Sequence, residues 1–416
     1  MRIPAQKSSR GLLAALVKKV CVPSQFTRLI ILTGLSLLTL PCMATRSASQ
    51  APNSGNPLSP REQQALRAAL NNGVLLLAAS RPDAPYFAMA NDIAAAIGGT
   101  AGVRVVPMAT GGGVENLRDL VYLRGVDLAI VPANVLANPK ALEASLGGGL
   151  TQRVAYVAHL YAEEVHLVAG AGVGTVEGLQ GKRIAVPLYD GTAEFTARDL
   201  LERLAIKAEI VRERPAAALD QVRSGELAGA LFVGGKPLQL VAGLPKDGRL
   251  KLLGLSLPVA IEQAHLPYLP AALRADDYPA LIPPGITIET VGVSAVLMAS
   301  SAKGNEDAAQ RVAKFVPAFF DGIADLTRLG RGAKWLELNL ATPLPGWNRV
   351  PAAEEWLRNA KERQRAVLQR GFEEFLRTTR QPGAPQLTPA EREKLLDKFI
   401  DWTRQSVGTV EAPTRP

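Results

Sequence analysis

The sequence predicts an α/β protein of two lobes, on three observations. The chain has 416 residues, of which 47% are apolar, so it is too long for one ordinary small domain and can bury a substantial core. Short apolar runs alternate with amphipathic helical stretches, a pattern typical of a largely parallel sheet covered by helices. A strand-rich segment of about 125 residues, Val165 to Thr290, is large enough for a core of its own.

The N-terminus has the pattern of an export signal. Residues 1–44 carry six basic residues and no acidic one, and the basic stretch is followed by an apolar run from Leu29 to Leu40. These twelve residues rise only about 18 Å as a helix, well short of the ~30 Å hydrocarbon core. A signal peptide cleaved near Ala44 is therefore favoured, and an uncleaved leader that anchors the protein in the inner membrane is the alternative. Residues 45–60, rich in Ser, Pro and Asn, predict a disordered spacer.

Removal of the leader changes what the composition implies. The formal charge falls from +9 to about +3, nine minus the six charges of the leader, so the high pI reflects export and gives little support to nucleic-acid binding. Both cysteines, Cys21 and Cys42, lie in the leader. Disulfides, thiol catalysis and cysteine metal sites are thus excluded for the mature protein.

The apolar runs place ten candidate strands along the chain. They are Val74–Ala79, Val103–Met108, Asp127–Val131, Arg153–Leu160, Val165–Ala169, Arg183–Pro187, Ala208–Arg212, Ala228–Val233, Leu250–Leu255 and Val291–Ala299. Residues 61–164 and 291–345 are assigned to lobe 1, which the chain re-enters through a long helix predicted over Glu306–Leu329, and residues 165–290 to lobe 2.

The segment from residue 346 to 416 is charged and helical in pattern, with a breaker at QPGAPQL. The favoured interpretation is a helical extension packed on the lobes, and a partner-docking appendage is the alternative.

A strand that runs into three glycines is the most informative motif. Thr110, Gly111 and Gly112 follow the second strand, and a helix containing Asn116 comes next. Backbone N–H groups at that helix start can bind an anionic solute, and glycine allows a close approach to the backbone. An ordinary tight turn is the alternative.

The second lobe contains a motif of the same kind. Gly191 and Thr192 follow the strand that ends at Pro187, and Thr192 is predicted to cap the next helix, whose free amides form a second anion-binding end. Two such ends facing each other make a clamp. A plain N-cap without a ligand stays open as the alternative.

The loop after the first strand offers three more candidates. Ser80 and Arg81 follow the strand, and Tyr86 begins the next helix. Arg81 is suited to bidentate pairing with a carboxylate, and Tyr86 supplies a hydroxyl and a ring wall. An exposed arginine and a core tyrosine are the alternatives.

Five motifs, in order, resemble those of the solute receptors of tripartite ATP-independent periplasmic (TRAP) transporters, in the immunogenic-protein, or TAXI, branch. They are TGGGVENLRDL, VDLAIVPANVL, GTAEFTARDLL, LFVGGKP and IPPGITIETVGVSAVLM, and the resemblance covers residues 74–345. It implies a type II periplasmic-binding-protein fold, two α/β lobes joined by a hinge with the ligand between them, and solutes such as glutamate or 2-oxoglutarate.

The same resemblance assigns roles to particular residues. Thr110, Gly111, Gly112 and Asn116 become ligand-binding candidates of the first lobe, with Asn134 nearby, and Gly191 and Thr192 face them, backed by Gly234. The chain departs from the family between Arg81 and Pro85, where two prolines stand in a loop that is usually glycine-rich. Prolines stiffen that loop and remove amide donors, so a different class of ligand is open.

The function expected from these features is a periplasmic receptor that delivers a small organic anion, a carboxylate or amino acid, to the permease subunits of a TRAP transporter. A periplasmic sensor or scaffold of the same fold, signalling to a partner such as a histidine kinase, is the alternative. The chain has only three histidines, two of them, His159 and His166, in successive predicted strands, and none has metal-ligand spacing. We expect no enzyme activity, no metal and no cofactor.

Overall fold

The computed structural model describes residues 58–98, 102–257, 267–326, 328, 332–379, 388 and 390–398. The predicted leader, and the predicted spacer as far as residue 57, lie outside these residues. The part of the chain from Pro60 onward forms one compact unit. Within the described ranges, no helix combines the length and apolarity needed to cross a bilayer.

Ten strands form one sheet in the described part of the chain. They are β1 (Val74–Ala78), β2 (Arg104–Met108), β3 (Val126–Pro132), β4 (Val154–Gly170), β5 (Arg183–Pro187), β6 (Glu209–Glu213), β7 (Gly229–Gly234), β8 (Leu250–Leu253), β9 (Tyr268–Arg274) and β10 (Thr287–Ser300). Their order across the sheet is β2-β1-β3-β10-β4-β7-β5-β6, with β8 beside β4 and β9 beside β10.

The sheet consists of two similar halves joined by a pair of long strands. The first half-sheet, β1 to β3, and the second half-sheet, β5 to β7, are each parallel, and in each the first strand lies between the second and the third. The long strands β4 and β10 pair antiparallel with each other and with their neighbours. This is a type II periplasmic-binding-protein fold, as predicted, although the sheet is mixed at its centre rather than largely parallel throughout.

Helices cover the sheet between the strands. The described helices are α1 (Pro60–Asn71), α2 (Pro85–Ile97), α3 (Val114–Tyr122), α4 (Ala133–Leu136), α5 (Pro139–Leu146), α6 (Leu150–Arg153), α7 (Gly191–Arg203), α8 (Pro215–Ser224), α9 (Gln239–Ala242), α10 (Glu306–Asp321), α11 (Ile323–Leu326), α12 (Gly332–Trp335) and α13 (Pro351–Thr379). A short 3₁₀ turn, Val176–Leu179, precedes β5.

The buried apolar side chains fall into separate clusters around the two half-sheets. Two clusters pack on the faces of the first half-sheet, and two pack on the faces of the second. Each fully buried Leu, Ile, Val or Phe contributes roughly 1.5–3 kcal/mol of transfer free energy. Each half-sheet therefore has its own core, whereas the residue boundaries predicted for the lobes stay a prediction.

The two strands predicted on either side of Leu160 are one strand. β4 runs unbroken for 17 residues, so His159 and His166 share a strand, and the prediction of two strands was wrong. Glu163 and Glu164 lie between the two predicted strands, and both side chains are buried. Glu164 accepts a hydrogen bond from Lys334 Nζ at 2.7 Å, which compensates its burial within a continuous strand.

The predictions differ from the structure in two other elements. The long helix predicted over Glu306–Leu329 ends at Asp321, because Gly322 closes it before the short helix α11. Strand β9 was not predicted. Within the described residues it pairs with β10 alone, and it contains Pro270, which lacks an amide and is tolerated at a sheet edge.

The start of the C-terminal segment packs on the body of the protein. The Trp356 ring meets Phe320 edge-on at 5.0 Å, and Trp356 Nε1 donates to Asp321 Oδ1 at 3.0 Å. The Arg349 guanidinium lies 4.5 Å over the Tyr156 ring. Helix α13 is thus anchored to α10 at its first turns, while docking of a partner by this segment stays a prediction.

Candidate functional site

The loop after β1 belongs to the first half and makes a contact with the second. Ser80 Oγ accepts a hydrogen bond from the Phe87 amide at 2.9 Å, which fixes the start of α2. The Arg81 guanidinium forms a bidentate pair with Asp83 and donates to the Leu188 carbonyl of the second half. Arg81 is only partly exposed. The loop therefore aims a cation across the gap between the two halves.

Tyr86 lies in the apolar core of the first half-sheet, and only 2% of its surface is exposed. Its hydroxyl has no hydrogen-bond partner among the described residues. Burial, together with the charges of Glu163 and Asp190, raises the pKa of this hydroxyl well above its usual value. Tyr86 thus stays protonated at any physiological pH.

Thr110 and Asn116 shape the loop after β2. Asn116 is fully buried, and its amide donates to the carbonyls of Ala79, directly after β1, and of Ile130, within β3. Thr110 Oγ1 donates to Asn116 Oδ1 and accepts from the Gly112 amide at 3.2 Å. Because these groups bond one another and the backbone, they position the glycine loop within the first half.

The two glycine loops touch each other directly. The Gly191 amide donates to the Gly111 carbonyl at 2.8 Å. A Cβ on Gly113 would lie 2.9 Å from backbone atoms of Gly191, and a Cβ on Gly191 would lie 2.9 Å from the Gly111 carbonyl. The glycines were expected to allow close approach of a solute. In this conformation the group that approaches is the opposite loop.

Asp190, not Thr192, caps α7. Its Oδ1 accepts from the amides of Thr192 at 3.1 Å and Ala193 at 3.0 Å, so the prediction of a Thr192 cap was wrong. The Glu194 amide donates to the Asp190 carbonyl, and the Gly191 amide is taken by the first half. The expected free amides at this helix end are therefore occupied, because a carboxylate one residue before the helix is an equally good cap.

Three remaining candidates also lie between the halves. Asn134 donates from Nδ2 to Thr196 Oγ1 at 2.9 Å and to the Tyr268 hydroxyl at 3.0 Å. Thr192 is buried, and its hydroxyl has no partner among the described residues. Gly234 ends β7 where a Cβ would meet Pro85 Cγ at 3.3 Å, so its lack of a side chain allows the halves to approach.

A cavity of about 240 Å³ lies beside these contacts. Of the eleven predicted site residues only Arg81 lines it, and the sequence did not single out the others. The lining residues are Arg81, Asp83, Ala84, Pro85, Pro187, Asp190, Pro215, Phe232, Val233, Leu238 and Leu240. They come from both halves, at the carboxyl edges of β1, β5 and β7, where open parallel sheets bind their ligands.

Three larger depressions lie elsewhere. One of about 410 Å³ adjoins β9, one of about 380 Å³ lies between α6 and α10, and one of about 630 Å³ lies before β5 and β7. The last two are at the amino edges of the half-sheets, and none of the three is lined by both half-sheets. The smaller cavity is therefore the candidate site. The described residues contain no cluster of side chains suited to a metal ion.

The loop after β7, which forms one wall of the cavity, is linked to His166 through the Tyr278 hydroxyl. The Leu238 amide donates to the Tyr278 hydroxyl at 2.7 Å, and that hydroxyl lies 2.6 Å from His166 Nε2. Burial, with smaller effects from Lys236 and Lys334, lowers the pKa of His166 to about 4. The neutral imidazole is therefore part of the folded structure at neutral pH.

We expect this histidine to make stability fall on mild acidification. Between about pH 4 and pH 6.5 the unfolded chain binds a proton that the folded His166 does not, so stability rises with pH through this window. The expected loss between pH 7.5 and pH 5 is about 2 kcal/mol, at ~1.4 kcal/mol per pKa unit. Urea unfolding at the two pH values measures it, and His166→Gln should remove most of it. An equal loss in that variant would contradict the assignment to His166.

The fold and the cavity define the class of protein. It is an α/β protein of the type II periplasmic-binding-protein fold, with a small cavity between its two half-sheets. A model of the NMT1-like family matches residues 77–340, which is more than half of the 416 residues. The chain belongs to the NMT1-like family.

Several solved structures are similar to this chain at low sequence identity. MatC from Rhodopseudomonas palustris with bound malate is 14% identical, over 66% of this chain and 90% of that chain, with a TM-score of 0.41. The periplasmic binding protein BugD is 11% identical, over 72% and 97%, also with a TM-score of 0.41. An ancestral arginine-binding protein bound to arginine is 15% identical, over 64% and 97%, with a TM-score of 0.37. These similarities are too distant to indicate the solute.

Proposed function

We propose that this protein is an exported, periplasmic receptor that captures a small carboxylate or amino acid between its two halves and delivers it to the permease subunits of a TRAP-type transporter. The observation that carries the proposal is the cavity at the carboxyl edges of both half-sheets, with the Arg81 guanidinium in its wall. The five TAXI-type motifs of the sequence support the transporter type.

The proposed mechanism is closure of one half on the other. Contacts between the halves run through Arg81 and the Leu188 carbonyl, through the Gly111 and Gly191 backbones, and through Asn134 and Thr196. A solute that binds groups of both halves stabilises the closed form, because it makes these bridging contacts only when the halves meet. Strands β4 and β10 connect the halves and supply the hinge.

The volume of the cavity sets the size of the solute. At about 240 Å³ it is smaller than the ~300–1,000 Å³ of sites for drug-sized ligands. A metabolite with one carboxylate and a short body fits this space. Arg81 supplies the recognition, because a planar guanidinium with several donors matches a carboxylate.

A thermal-shift screen of the purified protein against carboxylic acids and amino acids tests the receptor function. We expect at least one compound to raise the melting temperature, since a ligand at 100 times its Kd adds ~2.7 kcal/mol of stability. Arg81→Gln should reduce that shift. The matched control is Arg104→Gln. Arg104 is exposed and is the first residue of β2, so it lies at the amino edge of the first half-sheet, away from the cavity at the carboxyl edge. A panel without any stabilising compound, or equal shifts in both variants, would contradict the proposal.

A further inference from the structure

The side chains that line the cavity carry more negative than positive charge, which disfavours a solute that is only an anion. Its charged lining residues are one cation, Arg81, and two carboxylates, Asp83 and Asp190. A dicarboxylate would add two negative charges beside these carboxylates with only one guanidinium to pair them, and like charges in a partly desolvated site repel. The site instead matches a solute that carries both a negative and a positive group.

Arg81 has hydrogen-bonding capacity left for a carboxylate. Three of its N–H groups are used by Asp83 and by the Leu188 carbonyl. A guanidinium has five, so one N–H on each terminal nitrogen is left by the contacts within the described chain. Asp83 and Leu188 also fix the orientation of the side chain, which lowers the entropic cost of binding.

Asp190 has an acceptor left for a cationic group. The backbone amides of Thr192 and Ala193, in the first turn of α7, both donate to Asp190 Oδ1. Asp190 Oδ2 accepts no hydrogen bond from the described residues. Asp190 and Arg81 line the same cavity. Burial raises the pKa of the Asp190 carboxyl, and the amides that it caps and the nearby Arg81 guanidinium oppose this rise by stabilising its ionised form. The two side chains can therefore bind oppositely charged groups of one solute within the same cavity.

The rest of the lining is apolar. Eight of the eleven lining residues, from loops and strands of both halves, have no polar side-chain atom: Ala84, Pro85, Pro187, Pro215, Phe232, Val233, Leu238 and Leu240. No polar side chain lies on this wall to bind a second carboxylate, an amide or a hydroxyl of the solute. An apolar body gains free energy here in proportion to the area it buries.

From this arrangement we infer that the solute of the cavity is a zwitterionic α-amino acid with an apolar side chain, an inference that rests on the proposed receptor function. The α-carboxylate binds the free N–H groups of Arg81, the α-ammonium binds Oδ2 of Asp190, and the side chain lies against Phe232, Leu238 and Leu240.

Isothermal titration calorimetry of the purified protein tests each part of the solute. The ligands to compare are leucine, its deaminated analogue 4-methylpentanoate, its decarboxylated analogue 3-methylbutylamine, and two dicarboxylates, malate and glutarate. Leucine is expected to bind at least about tenfold more tightly than either analogue, because each lacks one charge-assisted hydrogen bond. Glycine, alanine, valine and leucine should bind with increasing affinity.

Asp190→Asn separates the charge of Asp190 from its structural role. Asparagine caps a helix as well as aspartate does, so α7 should stay intact, while the partner of the ammonium loses its charge. Leucine affinity should fall at least about tenfold, with 4-methylpentanoate affinity unchanged or improved. A residue that only held the loop in place would weaken both compounds equally.

The possible outcomes distinguish this inference from the function on which it rests. Tighter binding of malate or glutarate than of leucine, lost in Arg81→Gln, would overturn the amino-acid assignment and leave a carboxylate receptor. Equal losses for leucine and 4-methylpentanoate in Asp190→Asn would also overturn it. If none of the carboxylates or amino acids binds, the receptor function itself fails.

Discussion

Replacing Gly113 by alanine is expected to separate the two glycine loops and to destabilise the protein. Gly113 has φ +56°, and its Cβ would lie 2.9 Å from the carbonyl group of Gly191 in the opposite loop. The backbone strain costs about 1–3 kcal/mol, and loss of the bond between the Gly191 amide and the Gly111 carbonyl costs about 0.5–1.5 kcal/mol. Urea unfolding measures the sum, and hydrogen exchange at the Gly191 amide reports the separation.

Gly181→Ala is the matched control for this variant. Gly181 also has a positive φ, of +70°, but a Cβ there meets nothing within 4 Å. It therefore carries the backbone strain without the contact between the loops. Exchange at the Gly191 amide should accelerate in Gly113→Ala and not in Gly181→Ala. Acceleration in neither variant would show that the loops do not hold each other in solution.

Lys334→Met is expected to cost about 3–5 kcal/mol, because it leaves a buried carboxylate without its cation. Lys334 Nζ lies 2.7 Å from Glu164 Oε1, and both side chains are largely buried. The other carboxylate oxygen accepts from the Lys236 amide at 3.0 Å. Glu164 thus joins the central strand β4 to helix α12, which contains Lys334, and to the loop after β7, which contains Lys236. Chemical denaturation of the variant measures the loss.

A double-mutant cycle separates the ion pair from other effects of the substitution. Adding Glu164→Gln to Lys334→Met should recover part of the lost stability, since no unpaired charge then stays buried. The exposed Lys303, which bonds only Gln152 Oε1 at 3.2 Å in the described chain, supplies the control Lys303→Met. A cost for Lys334→Met below about 1 kcal/mol, as for an exposed pair, would contradict the role assigned to Glu164.

Local patterns predicted most of the strands. The run Arg183–Pro187 is β5 with the predicted bounds, because a short apolar run between turn residues has few other structures available. The division of β4 into two strands failed for a reason outside its own sequence. Glu164 is stabilised by a lysine 170 residues away, and no local pattern contains that partner.

The candidate site was predictable in its position but not in its chemistry. The carboxyl ends of parallel strands meet at one edge of a sheet, and this placed the loops of Arg81, Gly111 and Gly191 near one another. Local sequence did not decide which residue caps α7, since aspartate and threonine are both good N-caps. Phe232 and Leu240 were missed because an apolar side chain in a binding cavity gives the same sequence signal as one in a core.

The long central strands also restrict how this molecule can be dissected. The first part of β4 pairs with β10, and its last part pairs with β7 and β8. A cut between residues 164 and 165 would therefore sever one continuous hydrogen-bonded ladder and expose sheet edges on both fragments. Neither fragment would be a closed folding unit, so studies of one half in isolation have to retain the whole of β4.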